Sequence, residues 1–286
     1  MKIGIIGRGF VGSAVEYGFS EKSGWNAEIR IYDKDKTKST HSLNETINES
    51  DYIFLSVPTP SNKDGSIHLD IIYSALEEIN KINKRKDNIV LIRSTVTPGT
   101  TNEIQKSFPN LNIVFNPEFL TEKNANSDFI NQSRVILGGN KDHTNKIAKL
   151  FKERFGDDLP VIQTNYETAE FIKYMKTTII IPSHLHAKRL PNKPLLLINN
   201  EPMILHVWRQ AKKTNIDSVI VATSDKEIFD VITSHGGSAI ITNNNHINGS
   251  DRIFEAVETL EDKPELIINV QGDMPLIKPE AISHLE

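Results

Sequence analysis

The chain has 286 residues, enough for two domains at about 150 residues each. It is 38% hydrophobic and 24% charged, and no apolar run approaches a membrane span, so we expect a soluble globular protein with no membrane partner. A net charge of −4 gives no basic footprint for nucleic acid. The absence of cysteine excludes disulfides, thiolate metal sites and cysteine nucleophiles, and a cytoplasmic location fits.

Short β-branched runs alternate with helical patterns along the first half of the chain. Helices are predicted where apolar residues recur at three- and four-residue spacing, as in Leu69–Ile82 and Asp142–Phe155. Such alternation predicts an α/β Rossmann fold, a doubly wound parallel sheet wrapped by helices. The first run passes into a glycine motif, unlike a signal peptide with its cleavage site. The predicted strands are Ile3–Ile6, Ile29–Tyr32, Tyr52–Val57, Ile89–Ile92, Ile113–Phe115 and Val135–Leu137.

A domain boundary is predicted at about Met175. The residues from Thr164 to Glu167 match a capping box, which predicts a helix that starts there and runs through Lys173. The β-branched run Thr177–Ile181 then suits a strand. Without a Gly/Ser- or Pro-rich linker, the alternative is a single domain that passes from a helix into its next strand.

After residue 181 the alternation of strand, loop and helix restarts. Further strands are predicted at Ser218–Ala222, Ala239–Ile241 and Leu266–Val270. We therefore expect residues 1–174 to form one domain and residues 175–286 to form a second, truncated α/β domain of the nucleotidyltransferase type.

The segment Gly7–Gly12 is a complete G-x-G-x-x-G placed between a strand and a helix. The first glycine permits a tight turn, Gly9 lets the backbone approach a pyrophosphate, and the last allows close helix packing. Asp33 ends the second strand, where a carboxylate accepts hydrogen bonds from the ribose of NAD and disfavours NADP. The alternative is a glycine-rich turn with a solvated aspartate.

Four later segments follow strands or end a helix in a fixed order: Val57–Pro60, Ser94–Thr100, Asn116–Glu122 and Glu170–Tyr174. Together with the glycine motif they resemble the NAD-binding half of the UDP-glucose/GDP-mannose 6-dehydrogenase family, over about residues 1 to 174. That family oxidises a sugar C6 alcohol in two hydride transfers, through a thiohemiacetal on a cysteine. The cofactor-binding residues expected for NAD are Gly7, Gly9, Phe10, Val11, Gly12, Asp33, Val57, Pro58 and Thr95.

The resemblance also implies catalytic residues. Thr95, Glu118 and Glu122 would surround the nicotinamide and the reacting carbon, with a carboxylate helping to activate water. Lys173 would stabilise an oxyanion. Alternatively, the two glutamates are acidic residues in the first turn of a helix, and Lys173 is a solvated helix lysine.

Two departures from the dehydrogenase family limit the expected activity. Thr177 stands where the family has an asparagine one helical turn beyond its lysine. The sugar-binding half, with its nucleophilic cysteine, is absent. We therefore expect NAD binding without complete oxidation of a UDP-sugar.

A polar, cationic loop follows the predicted strand near residue 181. Arg189 and Lys193 could neutralise a triphosphate wrapped by the loop, or they could be solvated surface cations. With three later segments, the loop resembles the first half of 3-deoxy-manno-octulosonate (KDO) cytidylyltransferase, also called CMP-KDO synthetase. The later segments are Asn199–Val207, Asn248–Arg252 and Asn269–Pro275.

That family joins a sugar acid to CTP and releases pyrophosphate. The resemblance implies that Arg189 and Lys193 contact the CTP phosphates and that Asp273 holds Mg²⁺, whose preference is for oxygen ligands. Ser224-Asp225 would lie near the base and Gln271 near KDO. The alternatives are a helix cap for Ser224-Asp225 and a plain turn residue for Asp273.

The second resemblance also has departures. His184 stands where the family has arginine, Ala187 where it has serine, and Met274 where glutamate is common. Histidine lacks the bidentate charge of arginine. The sequence stops at Glu286, before the second metal-binding aspartate and the part through which the family forms its homodimer.

Together these motifs predict a fusion of two incomplete sugar-nucleotide enzymes. Both families supply precursors of bacterial envelope polysaccharide, including lipopolysaccharide. The alternatives are a non-catalytic module that binds NAD or CTP, and an unstable fragment produced by deletion or misassembly. Release of pyrophosphate from CTP and KDO would separate an enzyme from a binding module.

Overall fold

The computed structural model describes residues 1–186, 190–214, 216, 218–283 and 285, so the predicted phosphate contact Arg189 and the departure at Ala187 lie outside the described residues. The chain divides into two compact units, Met1–Tyr174 and Met175–Glu286. No helix in the described ranges is long and apolar enough to cross a membrane.

The first unit alternates strands and helices. Its strands are β1 (Lys2–Ile6), β2 (Glu28–Tyr32), β3 (Tyr52–Leu55), β4 (Ile89–Ile92), β5 (Asn112–Phe115), β6 (Val135–Gly139) and β7 (Val161–Thr164). Its helices are α1 (Phe10–Phe19), α2 (Leu43–Asn48), α3 (Asp70–Ile82), α4 (Thr100–Ser107), α5 (Ala125–Ile130), α6 (Lys141–Phe155) and α7 (Tyr166–Tyr174).

The seven strands form one sheet in the order β2-β1-β3-β4-β5-β6-β7. The strand order reverses at β1, because β2 and β3 lie on opposite sides of it. In open α/β sheets, ligands bind outside the carboxyl ends of the strands at such a switch point. All pairs are parallel except β5 and β6, which are antiparallel. The sheet is therefore dominated by parallel pairs, as predicted, with one reversal at β6 that a β-branched run could not signal.

Helices cover both faces of this sheet. On one face Phe19, Phe129 and Phe151 from α1, α5 and α6 pack in a cluster with strand residues. On the other face Leu76 of α3 and Ile104 of α4 lie in a second cluster. All five side chains are fully buried. This arrangement confirms the α/β doubly wound fold.

The predictions for the helix cap at Thr164 and for the strand end at Val57 differ from the structure. The helix expected to be capped by Thr164 is capped instead by Asn165, whose Oδ1 accepts a hydrogen bond from Thr168 N at 2.8 Å. Thr164 is instead the last residue of β7. This edge strand was not predicted, because its residues are partly polar and none of them is buried. The strand predicted to reach Val57 ends at Leu55, before the backbone turns toward Pro58, which has no N–H to donate.

The second unit contains a four-stranded parallel sheet in the order β12-β11-β8-β13. Apolar clusters on its two faces include Ile232 and Trp208 on one and Ile253 and Ala256 on the other. Its strands are β8 (Thr177–Ser183), β9 (Leu197–Ile198), β10 (Glu201–Pro202), β11 (Ser218–Thr223), β12 (Ser238–Ile241) and β13 (Leu266–Asn269). Its helices are α8 (Met203–Lys212), α9 (Lys226–Ser234), α10 (Gly249–Glu258) and α11 (Pro279–Ser283).

Strands β9 and β10 form a small antiparallel hairpin. The two residues between them, Asn199 and Asn200, have φ values of 50° and 67°. A two-residue hairpin turn with both central residues in the left-handed region matches the twist of its strands, and asparagine tolerates that region.

Candidate functional site

The glycines that flank the turn after β1 are required by close packing. Gly7 has φ of +91°, and a Cβ there would lie 2.4 Å from Ser56 O. A Cβ on Gly12 would lie 2.0 Å from Gly7 O. Gly9 is different, because a Cβ there would meet nothing within 4 Å. The backbone at Gly9 therefore borders open space.

The amino end of α1 faces the same space. Gly9 is its N-cap and offers no side-chain cap, and the first turn holds no acidic residue. The first N–H groups of a helix have no partner within the helix, and the helix dipole adds a partial positive charge there. The N–H groups of Phe10 and Val11 are thus placed to bind an anion such as pyrophosphate.

A cavity of about 360 Å³ opens between the glycine turn and β3. Its volume lies within the range of small-molecule pockets. The structure brings together here five residues predicted for the cofactor, and it places Thr95 after β4. The lining includes Gly7, Gly9, Asp33, Val57 and Pro58, with Tyr32, Leu43 and Ala75 among the others.

The carboxylate of Asp33 is held by the backbone. Its Oδ2 accepts from Arg8 N at 2.6 Å and its Oδ1 accepts from Asp35 N at 2.9 Å. Each carboxylate oxygen can accept a second hydrogen bond, so Asp33 keeps acceptor capacity toward the cavity. Nε and Nη2 of Arg8 donate to the two carboxylate oxygens of Glu16, at 2.8 and 2.7 Å.

A second group of predicted residues meets beyond β5. Lys173 Nζ donates to the carbonyl oxygen of Glu118 and lies 3.1 Å from its Oε1. Glu118 Oε2 accepts from Leu120 N at 2.7 Å, and Glu118 is 8% exposed. Lys173 is therefore paired instead of solvated, and Glu118 lies in a loop instead of a helix.

The remaining residues of the dehydrogenase resemblance lie apart from this pair. Thr95 follows β4 and is half-buried, at the same sheet edge as Glu118. Glu122 is exposed and begins a short 3-10 turn. Helix α7 ends at Tyr174, so Thr177 does not continue it and instead begins β8.

Sequence reasoning missed a buried arginine that supports Glu118. Arg93 is 3% exposed, and its burial lowers its pKa to about 10, with Glu118 acting in the opposite direction. Its Nη1 donates to Asn116 Oδ1 at 2.5 Å, and Asn116 Nδ2 donates to Ile136 O at 3.0 Å. This chain of bonds fixes the start of the loop that carries Glu118. An arginine that ends a strand of four apolar residues was the available signal.

Glu170 was also missed as a structural acceptor. It is fully buried, and its two oxygens accept from Gly99 N and Thr101 N, each at 2.6 Å. The carboxylate thus binds the free N–H groups at the start of α4, as a capping side chain would. Burial raises its pKa, against the effect of these hydrogen bonds. Glu170 ties α7 to α4, one turn before Lys173.

In the second unit, a cavity of about 190 Å³ lies at the carboxyl ends of β8 and β13. Lys193 and Asp273 line it, and Lys193 Nζ lies 2.8 Å from Asp273 Oδ2. The hydroxyl of Ser183, also in the lining, is buried and has no hydrogen-bond partner among the described residues. His184, Gln271 and Arg252 line the cavity as well.

The side chain of Asp225 does not cap helix α9, which was the alternative to a role near the base. It occupies the N-cap position of α9 but makes no side-chain cap hydrogen bond. Its Oδ2 accepts from Leu185 N at 2.9 Å and faces the Ser224 hydroxyl at 3.2 Å. Asp225 therefore fastens the loop after β8 to the end of β11.

Mg²⁺ was expected at Asp273. Within the described ranges, no three His, Asp or Glu side chains gather in a way that could hold a metal ion. A single carboxylate still suits Mg²⁺ when substrate phosphates supply further oxygens. The cavity residues fit a metal that arrives with a triphosphate.

Comparison with known families confirms both resemblances. Residues 30–155 match the model of the UDP-glucose/GDP-mannose dehydrogenase family, NAD binding domain. Residues 178–285 match the cytidylyltransferase model. The glycine turn precedes the first matched range.

Curated relatives match the second segment. The 3-deoxy-manno-octulosonate cytidylyltransferase of Paramagnetospirillum magneticum is 47% identical over 106 residues, which are 36% of this chain and 43% of that protein. The same enzyme of Nitrobacter hamburgensis is 48% identical over 109 residues, 37% of this chain and 42% of that protein. The chain thus spans less than half the length of these relatives.

Solved structures match the first unit. GDP-mannose dehydrogenase from Pseudomonas aeruginosa has a TM-score of 0.52 and 26% identity, over 61% of this chain and 48% of that one. A UDP-glucose dehydrogenase from Pyrobaculum islandicum has a TM-score of 0.50 and 21% identity, over 60% of this chain and 48% of that one, which is a likeness of fold.

Proposed function

We propose that this chain, which joins a dehydrogenase-type NAD-binding segment to a cytidylyltransferase segment, binds NAD in its first unit and CTP with Mg²⁺ in its second. The observation that carries the proposal is the open space above Gly9, bordered by the uncapped end of α1 and by the carboxylate of Asp33. Binding of a dinucleotide requires these three features: space for the pyrophosphate, hydrogen-bond donors for its oxygens, and an acceptor for the ribose hydroxyls.

NAD would lie across the carboxyl ends of β1 and β3. The pyrophosphate would accept from the N–H groups of Phe10 and Val11, and the adenosine would fill the cavity beside Val57 and Pro58. Asp33 would accept from the ribose hydroxyls. A 2′-phosphate would meet this carboxylate at close range, so NAD is favoured over NADP.

The chemistry proposed for the first unit lies with Lys173 and Glu118. An ammonium held beside a buried carboxylate can stabilise a developing alkoxide while the carboxylate relays a proton, as sugar-alcohol oxidation to NAD requires. Thr95 and Glu122 would contribute from the neighbouring loops. Because the sequence contains no cysteine, the chain does not supply the thiol for a covalent aldehyde intermediate, and complete oxidation of a UDP-sugar is not part of the proposal.

In the second unit, Lys193 would contact the phosphates of CTP and Asp273 would hold the metal. Mg²⁺ supplies charge neutralisation for an attack on the α-phosphorus. KDO is the proposed sugar acid, and Gln271, which lines the cavity, would contact it. A role in bacterial envelope polysaccharide synthesis and a cytoplasmic location belong to the same proposal.

Calorimetry of the full chain with NAD tests the first part. D33N should weaken NAD binding roughly tenfold, because a charged acceptor for the ribose is lost. D35N is the matched control, since the Asp35 carboxylate binds Thr37 and does not line the cavity. A folded chain that gives no heat with millimolar NAD would contradict the proposal.

Calorimetry with CTP and Mg²⁺ tests the second part, and pyrophosphate release after KDO is added distinguishes an enzyme from a binding module. UTP serves as the control nucleotide. Binding without turnover would support the non-catalytic alternative. Absence of CTP binding would remove the second unit from the proposed function.

A further inference from the structure

Lys193 and Asp273 contact each other. They are the residues proposed to contact the phosphates and the metal ion of Mg-CTP. Lys193 opens a short 3-10 turn in the loop after β8, and Asp273 lies in the turn after β13. The two side chains approach from different walls of the cavity, and Nζ and Oδ2 are 2.8 Å apart. The pair spans 80 positions of sequence, so it is a product of the fold and not of a local turn.

This ion pair must break before CTP, Mg²⁺ or Mg-CTP can contact Lys193 or Asp273. A metal-free triphosphate must compete with Asp273 for Lys193. Once it binds, the Asp273 carboxylate has lost its partner and lies close to the negative charge of the phosphates. A lone Mg²⁺ must displace the ammonium from Asp273. Mg-CTP also breaks the ion pair, but it replaces both partners, since its phosphate oxygens contact Lys193 and its cation contacts Asp273.

We infer that the Lys193–Asp273 pair is a specificity device that makes the second unit select a metal–triphosphate complex over either of its components. The inference rests on the proposed CTP binding and adds to it a mechanism for metal dependence. In thermodynamic terms, the exchange of one ion pair for two makes Mg²⁺ and CTP bind with positive coupling.

The size of the effect follows from the position of the pair. Both side chains are partly exposed, at 34% and 55%. Exposed ion pairs couple weakly, so the pair should reduce metal-free CTP binding by about two- to fivefold.

A double-mutant cycle on the full chain tests this. CTP is titrated in EDTA by calorimetry into the wild type, K193M, D273N and K193M/D273N. D273N should bind metal-free CTP more tightly than the wild type, because Lys193 is released. K193M should cost about two- to fivefold more affinity in the D273N background than in the wild type. Simple repulsion between Asp273 and the phosphates would instead give the same cost of K193M in both backgrounds.

Repeating the titrations with Mg²⁺ gives a second readout. Mg²⁺ should strengthen CTP binding to the wild type by a larger factor than to D273N. K263M and E258Q, in an exposed pair at the far end of α10, are the matched controls and should leave every affinity unchanged. Thermal melts check that all variants fold.

The outcomes separate the two proposals. Binding of Mg-CTP by the wild type with additive effects of K193M and D273N overturns the specificity role and leaves the proposed function standing. Absence of binding with and without Mg²⁺ in a folded wild type overturns both.

Discussion

Glycine residues in the turn after β1 serve two separable purposes. Gly7 and Gly12 are constrained by the backbone of the protein itself, whereas Gly9 borders only open space. One motif therefore contains two positions constrained by packing and one position that packing leaves unconstrained.

We predict opposite consequences for alanine at these positions. G12A should destabilise the first unit by about 1–3 kcal/mol, because its Cβ would overlap Gly7 O. G9A should leave stability nearly unchanged, since φ of −78° and ψ of −163° suit alanine, and should weaken NAD binding by roughly tenfold. Urea unfolding and calorimetry measure the two effects. A G9A chain that binds NAD normally would show that the pyrophosphate lies elsewhere.

At the residue scale, predictability follows the sequence distance between partners. The glycine motif and Asp33 were predicted because their spacing is fixed by one βαβ unit. Glu170 and Arg93 were missed as supports because their partners lie 71 and 23 positions away. Lys173 was predicted by resemblance, but its pairing with Glu118 over 55 positions is visible only in the structure.

Helix α7 is anchored by its first residue as well as by its last turn. The Tyr166 hydroxyl donates to Ile113 O at 2.8 Å and lies 3.1 Å from Gln105 Oε1. Its ring packs against Gly139, where a Cβ would approach within 3.0 Å. Burial raises the pKa of Tyr166 to about 12.

The stability contributed by the Tyr166 hydroxyl should therefore depend on pH at the alkaline end. With its pKa raised above the ordinary value of 10, the contribution is complete below pH 10 and is lost as the pH rises toward 12. Y166F should be less stable than the wild type by about 1 kcal/mol at neutral pH. Above pH 10 the gap should fall by up to about 1.4 kcal/mol per pH unit, so that it closes and then reverses in sign as the pH approaches 12. Urea unfolding of both proteins across this range measures it, and a pH-independent gap would contradict the assignment.

Periodicity predicted the existence of most elements and could not predict their direction. The runs at β3, β4 and β5 were identified because buried parallel strands are continuous apolar runs. The direction of β6 depends on how residues 116–134 connect it to β5, and no local pattern records that. Strand β7 escaped notice because it has only two apolar residues and none of its four residues is buried.

The two units have separate hydrophobic cores. Within the described residues, the clusters around Phe54 and Leu76 draw only on the first unit, and those around Ile232 and Ile253 only on the second. Separate cores permit separate unfolding, because loss of one does not expose the other.

We accordingly expect two thermal transitions with different ligand responses. NAD at about 100 times its dissociation constant should stabilise one transition by about 2.7 kcal/mol, and Mg-CTP should stabilise the other. L76A should lower only the NAD-responsive transition, and I232A only the other, each by about 2–5 kcal/mol. Differential scanning calorimetry measures both. A single transition shifted by either ligand would show that the units unfold together.

The antiparallel β6 determines how the ammonium of Lys173 reaches Glu118. Because β6 and β7 run against β1 to β5, the helix α7, which turns back after β7, runs in the same direction as β1 to β5. The end of β7 is level with Phe115, the last residue of β5, and the nine residues of α7 advance about 13 Å in the direction of β5, so the last turn reaches the loop that carries Glu118. Had β6 been parallel, the same helix would have carried Lys173 away by that distance. A single reversal of direction thus lets the final turn of a helix, instead of a strand end, deliver positive charge.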